Sequence, residues 1–91
     1  IKTMKAGILD GLKMISLAES AGLDLMIGGM VEGILSMSFS AAIAAGKGTF
    51  SYIDLDTPMF IADHPFEGGF WMNKDVISLP LDDVGHGVSL K

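Results

Sequence analysis

Apolar residues recur at helical spacing between residues 8 and 21. They form one stripe, and polar side chains occupy the opposite face. The stripe contains Ile8, Leu12, Ile15 and Ala18, and the opposite face carries Asp10, Lys13 and Ser20. Gly22 follows where a C-terminal cap is expected, because glycine takes the left-handed conformation at little cost. The pattern predicts a helix over residues 8–21.

A second helix is predicted over residues 33–45, in the stretch GILSMSFSAAIAA. It is apolar on nearly every side and rich in small residues, so it should pack against more than one neighbour. Gly46 is expected to close it.

Three short apolar runs flank these helices and predict β-strands. They are IKTMK (residues 1–5), LDLMIG (23–28) and SYIDLD (51–56). The last strand is expected to stop at Thr57-Pro58, because proline donates no ladder hydrogen bond. Short strands that alternate with helices of about 13 residues predict an α/β fold with parallel strands, in the order β-α-β-α-β.

The end of the chain has a different pattern. The stretch GGFWMNKDVISLP predicts an antiparallel hairpin that turns at Asn73-Lys74-Asp75, and DDVGHGV predicts an irregular ending. We therefore divide the sequence into residues 1–62, which carry the strands and helices, and residues 63–91, a tail that carries the hairpin.

The composition is that of a deeply buried chain. Of 91 residues 49% are hydrophobic and 19% are charged, and the mean hydropathy is +0.49. A free-standing domain of this size normally presents more polar surface. The first residue is Ile1 rather than Met. Both observations favour a piece of a larger protein.

Charge and residue usage exclude several classes of partner. The net charge is −5 and the six basic residues, all lysine, are scattered, which argues against nucleic acid. The absence of cysteine excludes disulfides and thiolate metal sites and allows the cytoplasmic location that we expect. Residues 26–46 are apolar, but Glu32 interrupts them and leaves about 14 residues where a membrane-spanning helix needs about 20. We expect no membrane partner.

Charged side chains stand at the ends of all three predicted strands: Lys2, Glu32, and the pair Asp54 and Asp56. A single charge at a strand end is most often a solvated loop residue. In parallel α/β folds, however, reactive groups gather at the carboxyl ends of the strands, so the three together favour a site. In an extended chain Asp54 and Asp56 share a face and lie about 7 Å apart. Two neighbouring carboxylates favour a cation as their ligand.

Four segments, in order, resemble motifs of the enolase superfamily, in its muconate-lactonizing branch and in particular in the dipeptide epimerases. IKTMKAGI resembles that family's sixth barrel strand, LMIGGMVE the seventh, and YIDLDTPMF, with its Asp-x-Asp, the eighth. PFEGGF, VISLP and GHGV resemble the tail that returns toward the capping domain. The resemblance implies the C-terminal fragment of a (β/α)7β TIM-like barrel. Residues 1–62 would form its last three strands and two helices, and residues 63–91 its tail.

The same resemblance implies the chemistry of individual residues. Lys2 matches one of two lysines that face each other across the substrate as general acid and base. Asp54 and Asp56 match the Asp-x-Asp that holds the α-ammonium group of the substrate. The implied reaction is proton abstraction alpha to a carboxylate in a dipeptide or an amino-acid derivative.

Three further residues receive roles from the resemblance. Val31, with Met30 before it, lies where the family contacts the substrate side chain. Glu32 lies where the family has a carboxylate that supports the residues touching the substrate. The resemblance also implies Mg²⁺ as cofactor, but the metal ligands and the second lysine would come from strands that this sequence does not contain, so no metal ligand is assigned here.

Several alternatives stay open on the sequence alone. N-acylamino acid racemases and o-succinylbenzoate synthases share most of these motifs with the dipeptide epimerases. A muconate cycloisomerase is a further alternative, although the aspartate pair would repel a dianionic substrate. The 91 residues on their own are expected to be inactive and to self-associate as a homo-oligomer through open strand edges.

Overall fold

The computed structural model describes all 91 residues and contains three parallel extended segments. Lys2 forms an isolated parallel bridge with Gly28. Strand β1 (Met26–Ile27) pairs in parallel with β2 (Tyr52–Ile53). Helices α2 (Ile8–Ser20) and α3 (Ile34–Lys47) connect these segments, and a short helix α1 (Thr3–Ala6) precedes α2. The predicted alternation of parallel strands and helices is confirmed.

The three predicted strands are all shorter than expected. The first, predicted over residues 1–5, ends at Lys2 because α1 begins there, and the Lys5 N–H donates back to the Lys2 carbonyl at 3.1 Å. The second, predicted over residues 23–28, is regular only in β1, with Gly28 joining through its bridge. The third, predicted over residues 51–56, ends at Ile53, and the backbone turns into a 3-10 helix over Thr57–Phe60.

The predicted end of the first long helix is confirmed and that of the second is wrong. After α2, Gly22 takes a φ of +70°, and its N–H donates to the Glu19 carbonyl while the Leu23 N–H donates to the Ala18 carbonyl. These two bonds satisfy carbonyls that the helix end leaves free. Helix α3 continues through Gly46 to Lys47 and is capped by Gly48, whose φ of +65° is left-handed. The interior of a helix tolerates glycine at a cost of about 1 kcal/mol, so Gly46 alone does not end it.

The core lies between α3, the parallel segments and the tail. Its buried members are Ile27, Met37, Ala41, Ala44, Leu55 and Phe70. The alanines let the helix approach the strands closely, and Met37 is fully buried, which stabilises the fold by roughly 1.5–3 kcal/mol relative to an exposed side chain. Helix α3 contacts α1 on one side and the tail and the 3-10 helix on others. The prediction that this helix packs on more than one side is confirmed.

The tail contains two antiparallel ribbons. Strands β4 (Trp71–Asn73) and β5 (Val76–Ser78) form the predicted hairpin around Lys74-Asp75, with Lys74 at a φ of +59°. Strands β3 (Phe66–Gly68) and β6 (Val88–Leu90) form a second ribbon that the pattern did not predict. The hydroxyl of Ser38, fully buried on α3, accepts the Phe70 N–H at 3.0 Å and ties the tail to the helix.

The chain leaves much apolar surface exposed. Its accessible area is 5955 Å², whereas a compact monomer of 9.6 kDa is expected to expose about 5,100 Å². Large side chains more than half exposed include Leu9 and Leu17 on α2 and Tyr52 and Ile53 on β2. No strand pairs with the outer edge of β2. None of the helices combines the length and the hydropathy of a membrane-spanning segment.

Candidate active site

Two of the predicted site residues, Lys2 and Asp54, flank Gly28 in the parallel segments. Lys2 is bridged to Gly28, and the Asp54 N–H donates to the carbonyl of Ile27 at 2.9 Å on the other side. A Cβ atom built on Gly28 would lie 3.5 Å from the Asp54 carbonyl oxygen and 4.0 Å from Lys2 Cε. Gly28 is itself buried, and a Cβ there would be in ordinary van der Waals contact with both neighbours, so Lys2 and Asp54 lie on either side of one closely packed glycine.

The ammonium of Lys2 is not engaged by a carboxylate. The two ion pairs of the structure, Lys13 with Asp10 and Lys47 with Glu19, lie on the helices. Lys2 Nζ instead donates to the thioether Sδ of Met30 at 3.8 Å. A thioether is a weak acceptor, so this ammonium retains donors for a ligand.

The carboxyl groups of Asp54 and Asp56 lie close enough to affect each other's ionisation. The pKa of Asp54 is raised, first by a side-chain hydrogen bond with Asp56, then by the charge of Asp56 and by slight desolvation, while the charge of Lys2 opposes the rise. The extended backbone on which the predicted spacing rested ends before Asp56. Asp56 has a helical backbone, with φ −88° and ψ −6°, because the 3-10 helix begins at the next residue. Two carboxylates that disfavour each other's charge are suited to a cationic ligand.

Glu32 is a buried carboxylate held entirely by neutral donors. It is 1% exposed. Its Oε1 accepts hydrogen bonds from the hydroxyls of Thr3, at 3.1 Å, and Ser36. Its Oε2 accepts the Met30 N–H at 2.8 Å. Buried carboxylates are tolerated when such bonds replace water, and these bonds link the segments after the first and second strands.

A hydroxyl at the end of the third strand completes the connection. The Thr57 hydroxyl accepts the Glu32 N–H at 3.2 Å and donates to the Glu32 carbonyl at 3.1 Å. Thr57 directly follows Asp56, so this pair of bonds holds the aspartate pair against the Glu32 segment. Thr3 and Ser36 received no role from the sequence, and Thr57 was expected only to end a strand. The available signal was a hydroxyl directly after Lys2 and after Asp56, and another one helical turn after Glu32.

The two remaining predicted residues differ in their surroundings. Val31 is 71% exposed and free to contact a ligand. Met30 is 42% exposed; its sulfur accepts a hydrogen bond from Lys2, and its N–H donates to Glu32.

The residues of this chain do not fit a Mg²⁺ site on their own. No group of three or more histidine, aspartate or glutamate side chains is close enough to hold a metal ion. Glu32 is enclosed by hydroxyl and N–H donors, which leaves Asp54 and Asp56 as an isolated pair. We therefore assign no metal ligand and no metal-dependent step to this chain.

Comparison with known proteins gives related sequences and related solved structures. No family model matches the chain. It is 63% identical over 90 residues to the aromatic dipeptide epimerase of Herpetosiphon aurantiacus, covering 99% of this chain and 25% of that protein. The solved structure of a mandelate racemase/muconate lactonizing protein from the same organism matches with a TM-score of 0.95 at 63% identity, covering 100% of this chain and 26% of that one.

A third match carries ligands. The dipeptide epimerase from Cytophaga hutchinsonii, in a structure complexed with Mg and the dipeptide D-Ala-L-Val, matches with a TM-score of 0.82 at 31% identity, covering 93% of this chain and 23% of that one. The chain thus spans about a quarter of the length of the relatives it matches. The resemblance seen in the motifs is confirmed: the chain belongs to the enolase superfamily and corresponds to a C-terminal part of its enzymes, with dipeptide epimerases among its homologues.

Proposed function

We propose that the full-length protein containing this chain is an epimerase of the dipeptide epimerase type, which moves a proton at the carbon alpha to a carboxylate. Lys2 is the acid and base on one face of that carbon, and Asp54 and Asp56 bind the α-ammonium of the substrate. The observation that supports this most directly is the position of Lys2 and Asp54 on either side of Gly28, with Lys2 in no ion pair. The homology to dipeptide epimerases supports the same chemistry.

The spacing of the strands suits a dipeptide. Neighbouring strands lie about 4.8 Å apart, so the backbones of Lys2 and Asp54 are separated by about two such steps across Gly28. In a dipeptide the ammonium is attached to one α-carbon, and the reacting carbon is the next, about 3.8 Å away across a trans peptide bond. With the ammonium at the aspartate pair, the reacting carbon lies above Gly28, toward Lys2. A side chain at residue 28 would occupy that space.

The full-length protein would complete the barrel around this chain. Residues 1–62 form the last three strands and two helices of a (β/α)7β barrel, and residues 63–91 form a tail toward a capping domain. Val31 and Met30 border the substrate side chain, and Glu32 supports them from behind. The Mg complex of the Cytophaga epimerase supports Mg²⁺ as the cofactor of the full-length protein, bound by residues outside this chain.

Proton exchange in D₂O tests the function directly. The full-length protein is incubated with dipeptides that carry a free amino terminus, including aromatic, hydrophobic and acidic second residues, and the α-proton signals are followed by NMR. We expect deuterium at the carbon next to the carboxylate and formation of the second epimer. Turnover of N-acylamino acids without any dipeptide exchange would point instead to an N-acylamino acid racemase, and dehydration of a cyclic precursor to an o-succinylbenzoate synthase.

We further propose that the 91 residues on their own are inactive and form a homo-oligomer. Proton transfer on the second face and the metal site require residues from elsewhere, and the exposed apolar area together with the open edge of β2 favours pairing with a second copy. The purified chain should scatter light as a dimer or larger, with an interface of more than about 2,000 Å². A folded monomer at micromolar concentration contradicts the association. Epimerisation that is lost on Lys2→Ala contradicts the inactivity.

A further inference from the structure

We propose that Met30 is a positioning residue for Lys2, and that the segment Gly28-Gly29-Met30-Val31-Glu32 is built to hold its sulfur against the lysine ammonium. The inference rests on the proposed function, since it assumes that Lys2 transfers a proton. It adds to the role proposed above, in which Met30 borders the substrate side chain.

The contact itself has the properties that a proton-transferring lysine needs. Met30 Sδ, at 3.8 Å, is the hydrogen-bond partner of Lys2 Nζ in this structure. The sulfur is neutral, polarisable and a weak acceptor, so it orients the ammonium without the strong attraction of an ion pair. A carboxylate at the same place would stabilise the charged form and oppose release of the proton.

The backbone of Met30 is fixed so that its sulfur can act in this way. Its N–H donates to Glu32 Oε2 at 2.8 Å, and that buried carboxylate is itself held by Thr3 and Ser36. A methionine side chain is flexible, so a fixed backbone is what limits where its sulfur can reach.

The two glycines before Met30 make the arrangement possible. A Cβ on Gly29 would lie 2.8 Å from Glu32 Oε2 and 2.7 Å from Met37 Cε, too close for either to stay in place. A larger side chain on Gly28 would meet Lys2, whose Cε lies 4.0 Å from the position of a Cβ. Gly29 thus admits the carboxylate that holds Met30, and Gly28 admits the lysine that Met30 contacts.

Exchange measured separately from each epimer tests the inference in the full-length protein. Lys2→Ala first identifies the epimer whose α-proton Lys2 removes. Met30→Leu keeps the size of the side chain and removes the sulfur. We expect it to lower kcat for that epimer about three- to tenfold, the size of one hydrogen bond, with KM and exchange from the other epimer changed less than about twofold. Met59→Leu, at an exposed methionine of the 3-10 helix, is the matched control and should change neither rate.

A second variant, Glu32→Gln, and an NMR measurement of the Met30 methyl group test the inference even if Met30→Leu folds poorly. Glu32→Gln should lower the same rate selectively, because it weakens the hold on the Met30 N–H, while Thr57 still bonds the unchanged backbone. In protein labelled with ¹³C-methyl methionine, the Met30 methyl resonance should move on Lys2→Ala and the Met59 resonance should not.

The possible failures are distinct. The positioning role is wrong, and the proposed function stands, if Met30→Leu slows exchange from both epimers equally or changes only the KM values of different substrates. The same holds if Met30→Leu has no effect although Lys2→Ala abolishes exchange from the epimer that Lys2 deprotonates. A Met30 methyl that does not respond to Lys2→Ala also overturns the positioning role. If Lys2→Ala leaves exchange from both epimers intact, the proposed function itself is wrong.

Discussion

Lys2→Ala is expected to lower kcat for epimerisation by the full-length protein by about 10³-fold, the central value for loss of a positioned acid or base. Lys2 is the basic side chain next to Gly28, and no carboxylate neutralises it in an ion pair. The loss should appear mainly in kcat, since the ammonium of the substrate is bound by other residues. Stopped assays with chiral separation of the two epimers measure it.

Two controls give this result its meaning. Lys13→Ala removes the same charge from an exposed position on α2 and should leave kcat unchanged. In D₂O, Lys2→Ala should still exchange the α-proton of one epimer, because only one face of the carbon has lost its base. A kcat within tenfold of the unmodified protein, or equal loss of exchange from both epimers, contradicts the assignment of Lys2.

Asp54→Asn and Asp56→Asn are each expected to raise KM at least about tenfold for substrates with a free α-ammonium, because a hydrogen bond to a charged group contributes roughly 1.5–3 kcal/mol. N-acylated substrates carry no charge there and should be affected little. Asp24→Asn, at an exposed position away from the site, is the matched control. Equal losses for both kinds of substrate would remove the ammonium-binding role.

The same pair predicts how binding depends on pH. The pKa of Asp54 is raised chiefly by its hydrogen bond with Asp56 and by the charge of Asp56. The affinity for an ammonium should therefore fall as the pH drops through this raised pKa, because a proton then occupies the place of the cation. Asp56→Asn removes the neighbouring charge, so the remaining binding should be lost at a lower pH than in the unmodified protein. A series of KM values between neutral and acidic pH measures this shift.

These variants should not unfold the protein. A carboxyl group whose pKa is higher in the folded state favours folding only while it is protonated, and this contribution is lost as the pH rises through the raised pKa. At neutral pH the repulsion between Asp54 and Asp56 therefore opposes folding, and either Asn variant should keep or slightly raise the Tm. A fall in Tm at neutral pH would show that the pair has a structural role instead.

Local chemistry determined the helices and the hairpin of this protein. The apolar stripe predicts a helix over residues 8–21, and α2 spans Ile8–Ser20 with Gly22 behind it. The turn at Lys74-Asp75 was also predicted. Both could be predicted because helix periods, caps and tight turns depend on residues only a few positions apart. The same locality explains the error at Gly46, since both Gly46 and Gly48 can end a helix and the choice between them depends on how the chain packs beyond α3.

Only the tertiary structure decided the extent of the strands and the connections of the site. A strand extends only as far as a neighbouring strand pairs with it, so the apolar runs predicted all three strands too long. The β3–β6 ribbon joins two segments that carry no local signal for pairing with each other. Charges at the strand ends could be read from the sequence, but Glu32 finds its partners 29 residues away at Thr3 and 25 residues away at Thr57. Hydrogen bonds at such separations depend on which strand ends meet, and that is set by packing of α3 against the parallel segments rather than by any short stretch of residues.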